Sequence, residues 1–168
     1  MTIEEINSLA RGEFVEALGW VFEQSPWVAE RAWERRPFAS ADAVHAAMRD
    51  EVERATPNEK LALLCAHPDL GTRAQLTAAS QSEQAGARLG QLSTEELEIL
   101  RELNSLYRDR FGFPFIYAVR GSTPQDIFIA LQIRSDSTRE EEFHEALHQV
   151  YRIAYFRIGQ VIQLPARS

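Results

Sequence analysis

Four capping boxes constrain the fold of this chain more than any other feature of its sequence. In each box a serine or threonine is followed three residues later by a glutamate, and the two side chains satisfy backbone N–H groups at the start of a helix. The four pairs are Thr2 with Glu5, Thr56 with Glu59, Ser93 with Glu96, and Thr138 with Glu141. Ser25 and Thr123 each precede a proline, which suits the first position of a helix. The sequence therefore marks a succession of helix starts.

Between these starts the apolar residues recur with the period of a helix. The predicted helices cover residues 3–10, 12–23, 26–35, 41–55, 57–66, 74–89, 94–110, 124–134 and 139–163. One apolar segment, residues 113–119, lies between Gly112 and Gly121 and contains Pro114, so a helix cannot continue through it. One extended segment cannot make a sheet. We predict an all-α fold of about eight or nine helices, in a single compact domain over residues 1–168.

Charge and composition exclude several classes of function. The formal net charge is −7 over 168 residues, which argues against a nucleic-acid surface, because such a surface needs clustered Lys and Arg. No apolar stretch has the length of a membrane span, and residues 1–10 lack the pattern of a signal peptide. Cys65 is a single cysteine, which suits a reducing compartment. We expect a cytoplasmic protein that binds neither nucleic acid nor membrane.

The residues His144, Glu145 and His148 match the zinc-peptidase pattern H-E-x-x-H. A catalytic zinc needs a third protein ligand, and the chain contains no Asp, Glu, His or Cys after His148. Helical projection places both histidines on the flank of the apolar stripe. We therefore interpret them as part of a solvated helix flank and expect no metal site.

Three other polar residues stand out by their surroundings. His67 precedes Pro68, which moves its backbone out of the helical region, so its side chain either caps a helix or points into a cavity. Glu83 is either an ordinary surface residue of a helix or, because small residues surround it, a group that other backbone or a ligand can approach closely. Arg157 borders an inward apolar stripe and needs a carboxylate partner, from the protein or from a ligand. A zinc hydrolase and a helical interaction module without chemistry stay open as alternatives on the residues alone.

Several ordered segments together resemble one family over nearly the whole chain. These segments are residues 22–27, 36–38, 67–70, 80–84, 103–107, 111–115 and 152–157. With them the chain resembles the 2-oxo-4-hydroxy-4-carboxy-5-ureidoimidazoline (OHCU) decarboxylases, which end the conversion of uric acid to (S)-allantoin. Two places depart from the family pattern: the stretch between Leu70 and Ser80 is shorter, and Ser135 and Asp136 replace an asparagine neighbourhood.

The resemblance implies an all-α enzyme that works without cofactor or metal and forms a homodimer. It implies that the catalytic residues are His67, Glu83 and Arg157. The substrate-binding residues that it implies are Pro68, Ser80, Gln84, Phe115, Ile116, Tyr117, Ala118 and Val119. The small-molecule partners are then OHCU as the substrate and allantoin as the product.

These residue types suit the implied reaction. The substrate carries a ring C=N beside the carboxylated carbon, so it accepts the electron pair itself and needs no cofactor as an electron sink. His67 is the expected proton donor, because an imidazole exchanges protons near neutral pH. Glu83 would favour the imidazolium, and Arg157 would orient the substrate by forked hydrogen bonds.

Overall fold

The computed structural model describes residues 1–71 and 78–163. Its helices are α1 Ile3–Ser8, α2 Arg11–Leu18, α3 Trp27–Ala32, α4 Ala41–Glu53, α5 Pro57–Cys65, α6 Ala78–Gly86, α7 Thr94–Phe111, α8 Pro124–Ser135 and α9 Arg139–Val161. Short 3-10 turns follow at Trp33–Arg35 and Leu89–Gln91. No strand occurs within the described ranges, so the predicted all-α class is confirmed.

The capping boxes begin helices where the sequence predicts them. Thr2, Thr56 and Ser93 each accept from the backbone N–H three residues later, and the glutamate there accepts from the cap backbone. Thr138 likewise accepts from the N–H of Glu141. Thr123 forms a further box with Asp126. These side chains satisfy N–H groups that have no partner within the helix, so they stabilise five of the helix starts locally.

Several of the predicted helix boundaries differ from the structure, and two of the differences have a clear physical cause. Ser25 does not cap α3, because its hydroxyl donates to the carbonyl of Glu23 and the helix begins after Pro26. The helix predicted over residues 12–23 ends at Leu18. Val21 and Phe22 are buried in the turns that follow, so the apolar period continues although the helix does not. Of the helix predicted over residues 74–89, residues 74–77 lie outside the described ranges, as does most of the shortened stretch before Ser80.

The described chain forms two compact units. Among the described residues, the first contains residues 1–66 and 151–163. In it α3 packs against α2 and α4, and its core is apolar. Phe14 stacks on Phe38, with ring centroids 6.0 Å apart. The interpretation of residues 1–168 as one domain stays a prediction.

The second unit contains residues 67–71 and 78–150, and it includes α6, α7, α8 and the first part of α9. Gly112 ends α7 with a φ of 82°, a left-handed conformation that glycine adopts without strain. After it the chain runs through residues 113–119 as neither helix nor strand. We call these residues the wall segment. The prediction that a helix cannot continue here is confirmed.

Neither described part of the chain contains a helix with the length and hydropathy required to cross a bilayer.

Candidate functional site

His67 lies just after the end of α5 and is only 7% exposed. At the end of that helix the backbone N–H of Ala66 donates to helix carbonyls, including that of Ala62. His67 is therefore packed inside the protein, and its role as a catalytic residue or a helix cap stays a prediction. The following proline keeps the backbone here out of the helical region.

Three hydrogen bonds fix the loop that follows His67. Asp69 forms an ion pair with Arg108 at 2.8 Å, and the carbonyl of Leu70 accepts from the Asn104 Nδ2 at 3.0 Å. The N–H of Gly71 donates to the Gln84 Oε1 at 3.1 Å. The loop is therefore held by α7 on one side and by α6 on the other.

Gly71 is required at the end of this loop for two reasons. Its φ of 81° lies in the left-handed region, which side chains with a Cβ rarely adopt. A Cβ built there would also lie 2.7 Å from the Cδ2 of Leu100, which is closer than packed atoms approach. Only glycine lets the chain turn here and pass against α7.

Helix α6 brings the Ser80, Glu83 and Gln84 side chains to the same region. Residues three and four apart share a face of a helix, so these three lie on one side of α6. Ser80 and Gln84 are buried, and Glu83 is partly exposed. Because Gln84 accepts from Gly71, this face of α6 packs against the loop that begins at His67. The second unit thus joins two of the predicted motifs through a direct contact.

The wall segment is buried although it has no regular structure. Phe113, Phe115, Ile116, Ala118 and Val119 are buried, and Tyr117 is partly exposed. Tyr107 on α7 lies against both Phe113 and Phe115, with ring centroids at 6.1 and 5.4 Å. The Phe115 and Tyr117 rings stack at 6.1 Å with an interplanar angle of 10°. The aromatic side chains of the segment therefore share one face.

A buried polar network that the sequence analysis missed lies behind this face. Glu142 accepts from the Tyr107 hydroxyl and from the Arg134 Nε, each at 2.5 Å. Burial, and then the hydrogen bond to Glu142, raise the pKa of Tyr107 above its ordinary value. Tyr107 is therefore a hydrogen-bond donor at all physiological pH values. The sequence analysis missed Glu142 because it lies beside Glu140 and Glu141 at the start of α9, and such an acidic composition is typical of a solvated first turn.

Arg157 belongs to the first unit and is buried there. Its Nη1 forms an ion pair with the Glu23 Oε2 at 2.9 Å and donates to the carbonyl of Trp20 at 3.3 Å. The expectation that Arg157 has a carboxylate partner is confirmed, and the partner comes from the protein. Glu23 was missed as that partner because the polar Gln24 and Ser25 follow it, so the local sequence gives no sign that its side chain is buried.

His144 and His148 are exposed on α9, which confirms their interpretation as a solvated helix flank. Within residues 1–71 and 78–163, no three His, Cys, Asp or Glu side chains lie close enough together to hold a metal ion. A helix turn with two ligands does not supply the three protein groups of a catalytic zinc site.

A family model described as OHCU decarboxylase matches residues 7–159. The protein from Haloferax volcanii named 2-oxo-4-hydroxy-4-carboxy-5-ureidoimidazoline decarboxylase is 45% identical over 160 residues, which cover 95% of each chain. This chain belongs to the OHCU decarboxylase family. The family resemblance seen in the ordered segments is thereby confirmed.

Two further comparisons agree with membership in the OHCU decarboxylase family. The uric acid degradation bifunctional protein of Bacillus subtilis is 44% identical over 161 residues, which are 96% of this chain and 33% of that protein. A crystal structure of (S)-allantoin synthase superposes with a TM-score of 0.80 at 35% identity, over 96% of this chain and 54% of that one. This chain therefore spans about half of that solved chain and a third of the bifunctional relative.

Proposed function

We propose that this protein is a carboxy-lyase that removes CO2 from OHCU and delivers (S)-allantoin, in the degradation of uric acid. The contact between Gly71 and Gln84 carries the proposal, because it packs the face of α6 with Ser80 and Glu83 against the loop that begins at the buried His67. Family membership supplies the substrate class.

The chemistry needs positioning and one proton. When the bond to the carboxylate breaks, its electron pair moves to the ring carbon and is accepted by the adjacent C=N of the substrate. The resulting enol-like species then takes a proton at the neighbouring carbon, and the face that is protonated sets the stereocentre. A protein that fixes the ring and delivers that proton to one face makes a single enantiomer.

His67 is proposed as the group that handles this proton. An imidazole changes its charge near neutral pH, and the burial of His67 keeps bulk water from competing with it. Glu83 is proposed to favour the imidazolium and to hold the N–H groups of the substrate. Pro68, Ser80 and Gln84 are proposed to line the pocket around these two residues.

The role of Arg157 is proposed from the family resemblance. Its guanidinium is proposed to orient the substrate, either directly or through the partners that it holds in the first unit. A very tight grip on the departing carboxylate would stabilise the ground state and slow the reaction. We therefore expect substitution of Arg157 to raise KM as well as to lower kcat.

The wall segment is proposed to bind the ureido group through its backbone. Neither the N–H nor the C=O of Tyr117 has a hydrogen-bond partner within residues 1–71 and 78–163. A ureido group carries both N–H donors and a carbonyl acceptor, so it complements such a pair. The buried side chains on either side, Ile116 and Ala118, would shield the enol-like species from water.

The proposal also covers the assembly of the protein, its location and its pathway. We expect a homodimer, by resemblance to the family, and a cytoplasmic location in a ureide pathway, by composition and by the chemistry of the product. Sedimentation of the purified protein measures the assembly directly.

The test supplies the unstable substrate to the purified protein and analyses the product. OHCU is generated in place from urate, without added metal or cofactor, and its loss is followed by absorbance while circular dichroism reports the handedness of the product. The proposal predicts accelerated loss and optically pure (S)-allantoin. Loss at the spontaneous rate with a racemic product would contradict it.

A further inference from the structure

The wall segment is buried, yet no helix or strand fixes its backbone. Backbone N–H and C=O groups in a buried segment must be oriented by some partner. Two side chains of the second unit supply partners at alternate residues. Arg134 on α8 reaches Ile116, and Gln149 on α9 reaches Ala118.

Arg134 holds the carbonyl of Ile116. Its Nη1 donates to that oxygen at 2.5 Å, while its Nε donates to the Glu142 carboxylate. The guanidinium carbon also lies 4.5 Å from the centroid of the Phe115 ring. The Glu142 carboxylate and the Phe115 ring thus fix the orientation of the planar guanidinium, so the Arg134 Nη1 donates in one direction.

Gln149 holds the N–H of Ala118. Its Oε1 accepts from that N–H at 3.0 Å, and its Nε2 donates to the Glu145 Oε1 one helical turn earlier at 2.8 Å. Gln149 is only 5% exposed. The contact with Glu145 fixes which end of the amide faces the wall segment, because a carboxylate accepts and cannot donate.

The two contacts point to one edge of the wall segment. The Phe113, Phe115 and Tyr117 rings share a face, which is the alternation of an extended chain. In an extended chain the backbone groups of alternate residues point to the same edge, so the contacts of Ile116 and Ala118 occupy one edge. The N–H and C=O of Tyr117 then face the opposite edge.

We propose that Arg134 and Gln149 are positioning residues for the reaction. By holding the carbonyl of Ile116 and the N–H of Ala118, they turn the N–H and C=O of Tyr117, which have no partner among the described residues, toward the ureido group of the substrate. This inference rests on the proposed function and adds to it the residues that set the orientation of the bound ring. The orientation decides which face of the enol-like species receives the proton.

The leading test replaces Gln149 with methionine, which keeps the length and burial of the side chain and removes its acceptor. We expect KM for OHCU to rise about tenfold and kcat to change less than about threefold, since a lost positioning contact acts on binding. The affinity for allantoin, measured by titration calorimetry, falls by a similar factor. The enantiomeric purity of the product falls as well.

A paired exchange supplies the rescue. Gln149→Glu combined with Glu145→Gln keeps an acceptor for the N–H of Ala118 and keeps a hydrogen bond between positions 145 and 149. We expect KM and enantiomeric purity to return close to the wild-type values. Gln132→Met is the matched control, because Gln132 is exposed on α8, and it should leave KM, kcat and purity unchanged.

Arg134→Lys tests the second residue. A lysine keeps the charge that Glu142 needs but offers no planar fork, so it cannot hold both Glu142 and the carbonyl of Ile116 in the same geometry. We expect a rise in KM and a loss of enantiomeric purity, with the far-ultraviolet circular dichroism of the folded protein retained.

The outcomes separate this inference from the proposed function. If the wild type gives (S)-allantoin but folded Gln149→Met keeps wild-type KM and purity, the positioning role is wrong and the proposed function stands. If Gln149→Met only lowers the unfolding midpoint while its folded fraction binds allantoin normally, the residue is merely structural. If the wild type itself does not accelerate the reaction, the proposed function fails first.

Discussion

Tyr107→Phe should destabilise the protein by an amount that depends on the burial of its acceptor. The hydroxyl donates to the Glu142 Oε1 at 2.5 Å, and Glu142 is 1% exposed. Hydrogen bonds to charged groups contribute about 1.5–3 kcal/mol. Because Arg134 still pairs with Glu142 in the variant, we expect a loss in the lower part of that range, about 2 kcal/mol.

Tyr151→Phe in the first unit is the matched control. Its hydroxyl donates to the Glu53 Oε1 at 2.9 Å, and Glu53 is exposed. Water replaces the donor at an exposed carboxylate, so the expected loss is about 0.5–1 kcal/mol. In both positions the substitution removes a hydroxyl and leaves the ring packing unchanged.

Urea unfolding followed by circular dichroism measures both variants. The free energies of unfolding are comparable if the slope of each transition matches that of the wild type. Equal losses for Tyr107→Phe and Tyr151→Phe would refute the reasoning, because they would show that burial of the acceptor does not set the contribution. A loss only at Tyr151 would refute it more strongly.

Two further predictions concern a turn and an exposed ion pair. Gly71→Ala should destabilise the protein by about 1–2 kcal/mol and lower kcat, because an alanine is strained at a positive φ and its Cβ would collide with Leu100 beside the His67 loop. Gly90→Ala is the control, because a Cβ at Gly90 would meet no atom within 4 Å. It should change neither the free energy of unfolding nor kcat. The hydrogen bond from Arg31 lowers the pKa of Glu59 below its ordinary value of 4.5, so the pair stabilises the folded state above that pH and the contribution is lost as the pH falls. Glu59→Gln should therefore be less stable than the wild type at neutral pH, and the difference should shrink in unfolding experiments below pH 4.5. A difference that grows on acidification would contradict the sign.

The helices were predictable where their start depends on neighbouring residues. A capping box is satisfied within four residues, so the boxes at Thr56 and Ser93 could be located without knowledge of the fold. The end of α2 could not be predicted, because the buried Val21 and Phe22 continue the apolar period through turns. Burial depends on the tertiary structure, whereas the period reports only which residues are apolar.

The site was predictable in its motifs and not in its supports. The resemblance named His67 and Gln84, and the structure connects their segments through Gly71. Gln149 supports the wall segment from α9 directly and Glu142 does so through Arg134, and both are polar residues of the kind that a solvated helix face carries. Their role arises because the chain folds the wall segment against α9, and a local pattern carries no information on such a contact.

The most direct test of the central claim is the rate and handedness of OHCU decarboxylation by His67→Ala and by Glu83→Ala. The account predicts that each rate falls by at least about 100-fold, as removal of an acid–base group does, and that the residual allantoin is racemic. Both variants should retain the helical circular dichroism of the wild type. Optically pure (S)-allantoin formed by folded His67→Ala at the wild-type rate would contradict the account.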